Sequence, residues 1–111
     1  MKKLKTKTKK QVKQIAEILV KKYKPEKIIL FGSAASGEDS PSSDLDILVI
    51  KKTNKQYFDR VFEAKKTFDS ARHVDLIVLT PKEFDNAKAE KRIFIRQVLK
   101  YGVNLYENSL Q

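Results

Sequence analysis

A chain of 111 residues is one domain's worth of sequence, long enough for a real core but not for a catalytic domain joined to a large acceptor-binding domain. It has no cysteine and a single histidine, His73, which excludes a disulfide framework, a thiolate zinc site and a histidine metal cluster. The net charge of +10 is uneven: residues 1–27 hold eleven lysines against Glu17 and Glu26, and the remaining 84 residues contribute only +1.

That distribution reads as a basic arm over residues 1–8, a folded domain over 9–106 and a short tail over 107–111. The lysines are not interleaved with aromatic side chains that could stack on bases, so nucleic acid is not the favoured partner. No stretch approaches the roughly 18 consecutive apolar residues of a membrane span, and the Lys-rich start lacks the apolar centre of a secretory signal. A cytoplasmic location and no membrane partner are the expectation.

In chain order, Val12, Ile15, Ala16 and Leu19 recur at helical spacing before Pro25, which predicts an amphipathic helix over about 9–23 with its lysines outward. Residues 27–31 form a short apolar run that reads as a buried strand. Gly32 follows directly, where the backbone must turn sharply or approach a ligand too closely for a Cβ. Ser33 adds a hydroxyl and an exposed N–H. A helical turn over 34–36 would aim its free N–H groups at an anion. Gly37, Pro41 and the neighbouring serines then make the return loop.

The next apolar run carries Asp44 and Asp46. Side chains two apart project from the same side of a strand, roughly 6.5–7 Å from one another, so both carboxylates meet at one site while Leu45, Ile47 and Val49 face the core. Two such carboxylates repel unless a cation lies between them, and hard oxygen donors suit Mg²⁺ or Mn²⁺.

Tyr57, Val61, Ala64 and Phe68 share a helical face with Phe58 and Phe62 beside them, which predicts a helix over about 55–71 whose aromatics are core. Residues 73–79 read as a third strand, with His73 at its start and Asp75 as its sole acid. An unpaired carboxylate in a mostly buried strand is costly unless a metal or a donor compensates it. Thr80-Pro81-Lys82-Glu83 has the pattern of a capping box with proline at the first helical position. Asn86 is a point where that helix could be interrupted. Ile95, Val98 and Leu99 continue a helical stripe that stops near Gly102, and residues 103–106 suit a short edge strand. The alternation, roughly α-β-α-β-α-β-α plus an edge strand, fits an α/β (α+β) domain with a mixed sheet flanked by helices.

Gly-Ser at 32–33, a Gly-containing loop, and Ser43-Asp44-Leu45-Asp46 inside an apolar strand resemble the DNA polymerase β-type nucleotidyltransferase superfamily. The chain is particularly similar to the minimal nucleotidyltransferases, short stand-alone chains often encoded beside a HEPN-domain protein. The resemblance implies a palm-like fold and a site in which Asp44 and Asp46 bridge two Mg²⁺ ions, with Mn²⁺ as an alternative. In that site Asp75 is the third metal-binding and catalytic carboxylate. Gly32, Ser33 and Ser43 would contact the nucleotide, with ATP as the substrate. It further implies transfer of AMP to an acceptor hydroxyl, a tyrosine of a cognate HEPN toxin, which would make this chain the antitoxin of a toxin–antitoxin pair.

One departure stands out. Many members carry arginines in this loop, whereas the chain reads Gly-Ser-Ala-Ala-Ser-Gly, with Ala34 and Ser36 in their place. Phosphate contacts then fall to Lys51, Lys52, Arg60 or Lys65 as candidates. Two other functions stay open: a small-molecule nucleotidyltransferase of the aminoglycoside-modifying kind, and a catalytically weak module that neutralises its partner by binding.

Overall fold

The computed structural model describes residues 4–38, 40 and 43–108. The elements run α1 (Thr6–Lys22), β1 (Lys27–Phe31), α2 (Ser33–Ser36), β2 (Leu45–Ile50), α3 (Tyr57–Lys65), β3 (Val74–Leu79), α4 (Pro81–Ala89), α5 (Ile93–Tyr101) and β4 (Val103–Glu107). The first helix begins three residues earlier than its apolar spacing predicts, so Thr6, Lys7 and Thr8 belong to α1 rather than to an arm. Thr8 is buried. Glu107 likewise lies in β4 rather than in the tail, and residues 1–3 and 109–111 lie outside the described residues.

The strands form one sheet in the order β3-β2-β1-β4. β1 pairs antiparallel with β2 and with β4, while β2 and β3 run parallel. A parallel pair cannot be closed by a hairpin, and the crossover between β2 and β3 is made by α3. Strand alternation then sorts the core into two layers. Ile28, Leu30, Ile47, Val49, Leu76 and Val78 face α1 and α3, whereas Ile29, Phe31, Leu48 and Ile50 face α4 and α5. Both faces are therefore covered along most of the sheet. Each fully buried aliphatic side chain here contributes about 1.5–3 kcal/mol of transfer free energy.

Helix boundaries follow from local chemistry. α1 ends where Lys24 takes a left-handed conformation (φ 56°) just ahead of Pro25, whose ring bars the preceding residue from continuing the helix. The capping box at Thr80 is present in both directions: Glu83 N–H donates to Thr80 Oγ1 at 3.1 Å, and Thr80 N–H donates to Glu83 Oε1 at 2.8 Å. Asn86 does not interrupt α4; its carbonyl accepts from Glu90 N–H. The break comes at residues 90–92, where Lys91 has φ 54°, and splits the predicted single helix into α4 and α5. Gly102 stops α5 without the left-handed cap its position suggests (φ −59°). Its lack of a side chain matters for space: a Cβ there would lie 2.3 Å from the Val98 carbonyl oxygen and 2.9 Å from Ile29 Cγ2.

The aromatics of α3 correct the sequence reading. Phe58 is 86% and Phe62 70% exposed, and Tyr57 is exposed as well. The helix is only nine residues long and docks through Val61 and Ala64. At roughly 100° per residue, Phe58 and Phe62 are turned well off that stripe and out to the surface. Leu99 on α5 is exposed for the same reason, while Ile95 and Val98 are buried.

Candidate active site

The antiparallel register sets Phe31 opposite Asp46, and the parallel register sets Asp46 beside Asp75. Laterally paired residues of adjacent strands project from the same face, so Asp46 and Asp75 are neighbours on the side covered further along by α4 and α5. Asp44 precedes β2 by one residue and, two before Asp46, shares its side. The three carboxylates thus stand at one end of the sheet, on one face, next to the turn that follows β1.

Their environment differs from the sequence expectation in one respect. Asp75 is exposed near the start of edge strand β3, so it bears no burial cost of its own. The cost falls on Asp46, whose carboxyl is held above the usual Asp range by its desolvation, then by the charge of Asp75, then by that of Asp44; His73 partly offsets this. Carboxylates that destabilise one another in this way are a donor set suited to a hard divalent cation. Among the described residues no three acidic or histidine side chains stand already gathered at metal-binding separation.

Gly32 forms the floor beneath Asp46. A Cβ on Gly32 would sit 2.1 Å from Asp46 Oδ2, and the residue has φ 75°, ψ −158°, a conformation open essentially to glycine alone. Gly32 caps α2, and its carbonyl accepts from Ala35 and Ser36 N–H at 3.1 and 3.0 Å. Ser33 opens this single turn, and its carbonyl accepts from Glu38 N–H at 3.0 Å and from Ser36 Oγ at 3.3 Å. The turn closes at Gly37, with φ 92°. Pro41 lies outside the described residues.

Ser43 is engaged locally: its Oγ accepts from Ser40 N–H at 3.1 Å and lies 2.9 Å from Ser40 Oγ. Its carbonyl accepts from Arg72 Nε and Nη2 at 3.0 and 2.7 Å. The same guanidinium donates through Nη1 to Thr8 Oγ1 at 3.0 Å and to Gln11 Oε1 at 3.3 Å. Arg72 is 9% exposed, so it ties the residue before Asp44 to α1 from inside the fold. Sequence reasoning passed over Arg72; its position three residues before Asp75 was the available signal. Replacing it with Met should cost about 1–3 kcal/mol in urea unfolding, the penalty for leaving its buried acceptors unmatched. Arg72→Lys should recover only part of this, because an ammonium cannot reproduce the planar fork.

Three of the four basic residues proposed from sequence for phosphate contact are engaged elsewhere. Lys51 donates to the Tyr23 carbonyl at 2.5 Å and lies 4.6 Å from the centre of the Tyr23 ring, and Lys52 pairs with Glu26 at 3.7 Å. Both follow the far end of β2; five residues of strand put Lys51 about 16 Å from Asp46. Arg60 is buried, with Nη1 and Nη2 on Glu83 at 2.7 and 3.3 Å and Nε on the Lys55 carbonyl at 2.8 Å. That pairing holds the Glu83 carboxyl below its ordinary range. Lys65 is exposed in the last turn of α3.

A polar cleft of about 450 Å³ opens beside the turn, lined by Gly32, Ser33, Ser36, Glu38, Gln97 and Tyr101. The last two come from α5, and sequence periodicity gave no sign that this helix lies across from Gly32. Asp44, Asp46 and Asp75 do not line this cleft, which meets them through Gly32; a larger, mostly apolar groove of about 610 Å³ runs between α1 and β4 and includes neither the carboxylates nor Gly32.

A mixed sheet with helices on both faces, a glycine turn and carboxylates at one end is the architecture of a nucleotide-handling α+β domain. The family model described as "Polymerase beta, Nucleotidyltransferase" matches residues 13–111, and the chain belongs to that family and is a nucleotidyltransferase. It is 33% identical over 92 residues to a Methanocaldococcus jannaschii protein described as a candidate protein adenylyltransferase, a match covering 78% of this chain and 92% of that one. A Sulfolobus solfataricus crystal structure described as a candidate nucleotidyltransferase superposes with a TM-score of 0.68 at 27% identity, covering 94% of this chain and 84% of that chain. A toxin–antitoxin crystal structure with AMP-PNP shares the fold, with a TM-score of 0.58 at 24% identity over 89% of this chain and 74% of that chain. Among the described residues no helix is long and apolar enough to cross a membrane.

Proposed function

We propose that the chain is a metal-dependent adenylyltransferase that moves AMP from ATP to an acceptor hydroxyl on a partner protein. In this reading the acceptor is a tyrosine of a cognate HEPN toxin, and the chain is the antitoxin that silences it. The observation that carries the reading is the lateral register of Asp46 with Asp75, with Asp44 two residues before and Gly32 packed under the carboxylate. The adenylyltransferase description of the M. jannaschii relative and the toxin–antitoxin complex with AMP-PNP support the substrate and the partner.

Asp44, Asp46 and Asp75 would hold Mg²⁺, or Mn²⁺. When bound, such ions neutralise charge on the triphosphate and lower the pKa of the attacking hydroxyl. The Gly32-Ser33 backbone orients the triphosphate next to these carboxylates, so that the acceptor oxygen meets the α-phosphorus in line with the departing pyrophosphate. One bond forms from that oxygen to phosphorus, and the bond from phosphorus to the pyrophosphate oxygen breaks. The hydroxyl proton passes to the exposed Asp75 carboxylate and on to solvent.

Mass spectrometry of a HEPN-domain protein co-expressed with the chain tests this. The partner should gain the mass of one adenylyl group with the wild-type chain and none with Asp46→Ala. An unmodified partner that is nevertheless neutralised by both proteins would instead make the chain a binding module. The arginine-free loop, with buried Ala34 at one of the two positions, is what keeps that outcome in view.

A further inference from the structure

We infer that Gln97 and Tyr101 of α5 form the base-recognition element of the nucleotide cleft, with Gln97 reading the donor–acceptor edge of adenine and the Tyr101 ring stacking on its face. This rests on the nucleotidyltransferase site described above and adds to it the residues that choose the base.

The placement comes from α5. Phe94 packs on Phe31, the residue before Gly32, with ring centroids 6.4 Å apart. Residues 94, 97 and 101 are spaced three and seven apart and so lie along one side of the helix. With Phe94 docked, Gln97 and Tyr101 are carried to the cleft wall facing Gly32, Ser33 and Ser36. Ile95 and Val98 are buried against the sheet, which fixes the helix in rotation about its axis. The sixth lining residue, Glu38, is exposed and acidic, and its backbone N–H donates to the Ser33 carbonyl at 3.0 Å. Gly32 is the lining residue that abuts Asp46, so a triphosphate held at the carboxylates enters the cleft from the Gly32 side and leaves the uncharged base to meet α5.

The Gln97 side chain is exposed, and among the described residues its carboxamide has no hydrogen-bond partner, so it is available to a ligand. A carboxamide presents one acceptor and one donor side by side, which matches the N6 amino group and N7 of adenine. Guanine presents N7 and O6, two acceptors, and sets an oxygen against the Gln97 oxygen. Tyr101 has its ring partly exposed, and stacking on such a ring is tolerant of base identity.

The test is competition against a fluorescent ATP analogue, with ATP, GTP and inorganic tripolyphosphate as competitors in the presence of Mg²⁺. The wild-type chain should prefer ATP over GTP by about 5- to 100-fold, and Gln97→Leu should bring that ratio close to one while tripolyphosphate competes unchanged. Tyr101→Ala should weaken both nucleotides together and leave their ratio intact, and Tyr101→Phe should restore binding. An ATP-to-GTP ratio in Gln97→Leu equal to that of the wild type overturns the base assignment alone. Failure of the wild-type chain to bind any nucleotide overturns the assignment and the reading of the site beneath it.

Discussion

Asp46→Asn should lower nucleotidyl transfer by roughly 10²–10⁴-fold, the scale of losing one preorganised charge from a phosphoryl-transfer site, while leaving the fold intact. The same substitution should stabilise the protein when divalent ions are absent. Asp46 titrates above its ordinary range in the folded chain because burial and the charges of Asp75 and Asp44 disfavour its ionised form. With the folded pKa raised, the folded state holds its proton more tightly than the unfolded state. Below the ordinary Asp range both states are protonated and the effect is nil; as pH rises through the raised folded pKa, stability is lost. Thermal melts in chelator should show this loss in the wild type and a smaller one in Asp46→Asn. Adding Mg²⁺ should stabilise the wild type more than the variant. Equal transfer rates for the two proteins would remove Asp46 from the chemistry, and a larger Mg²⁺ stabilisation of the variant would remove it from the metal site.

Gly32→Ala should be the most damaging single methyl that can be added near the site. It forces an L-residue into φ 75°, ψ −158° and drives a Cβ to 2.1 Å from Asp46 Oδ2. The backbone strain alone is worth about 1–3 kcal/mol, and the displaced carboxylate should take activity with it. A double-mutant cycle with Asp46→Ala separates the two costs. Removing the carboxylate relieves the contact with Oδ2 but not the strain, so the double variant should unfold at higher urea than additivity of the single variants allows. Strict additivity would mean that Asp46 simply moves aside at no cost.

Much of this arrangement is legible in the residues before any coordinates. The apolar runs at 27–31 and 73–79, the run that carries Asp44 and Asp46, the Gly32 turn and the Thr80 capping box are local signals, and the elements they announce are present. What the chain does not announce is lateral: which strands become neighbours and which helix covers which face. The parallel pairing of β2 with β3 makes Asp75 a neighbour of Asp46, whereas the sequence argument from burial fails because β3 is an edge strand and Asp75 is exposed. The aromatics of α3 depart from the sequence expectation because of how their helix docks. Phe58 and Phe62 have core composition, but only the docking of Val61 and Ala64 decides which side of a short helix faces inward. Lys51 and Arg60 look available in sequence and are occupied in the fold by Tyr23 and Glu83. Gln97 and Tyr101 enter the cleft through the break at Lys91, a left-handed residue that nothing in the neighbouring sequence demands.

The parallel ladder also restricts how this protein can change. Because alternate residues of a strand point to opposite faces, inserting or deleting one residue ahead of Asp75 within β3 would carry that carboxylate through the sheet to the α1 side. Length variation is far less costly in residues 51–56, the loop that leads into α3, because the helix there can re-dock without shifting the ladder. Drift among related chains should therefore accumulate as indels in that loop and as substitutions along the strands.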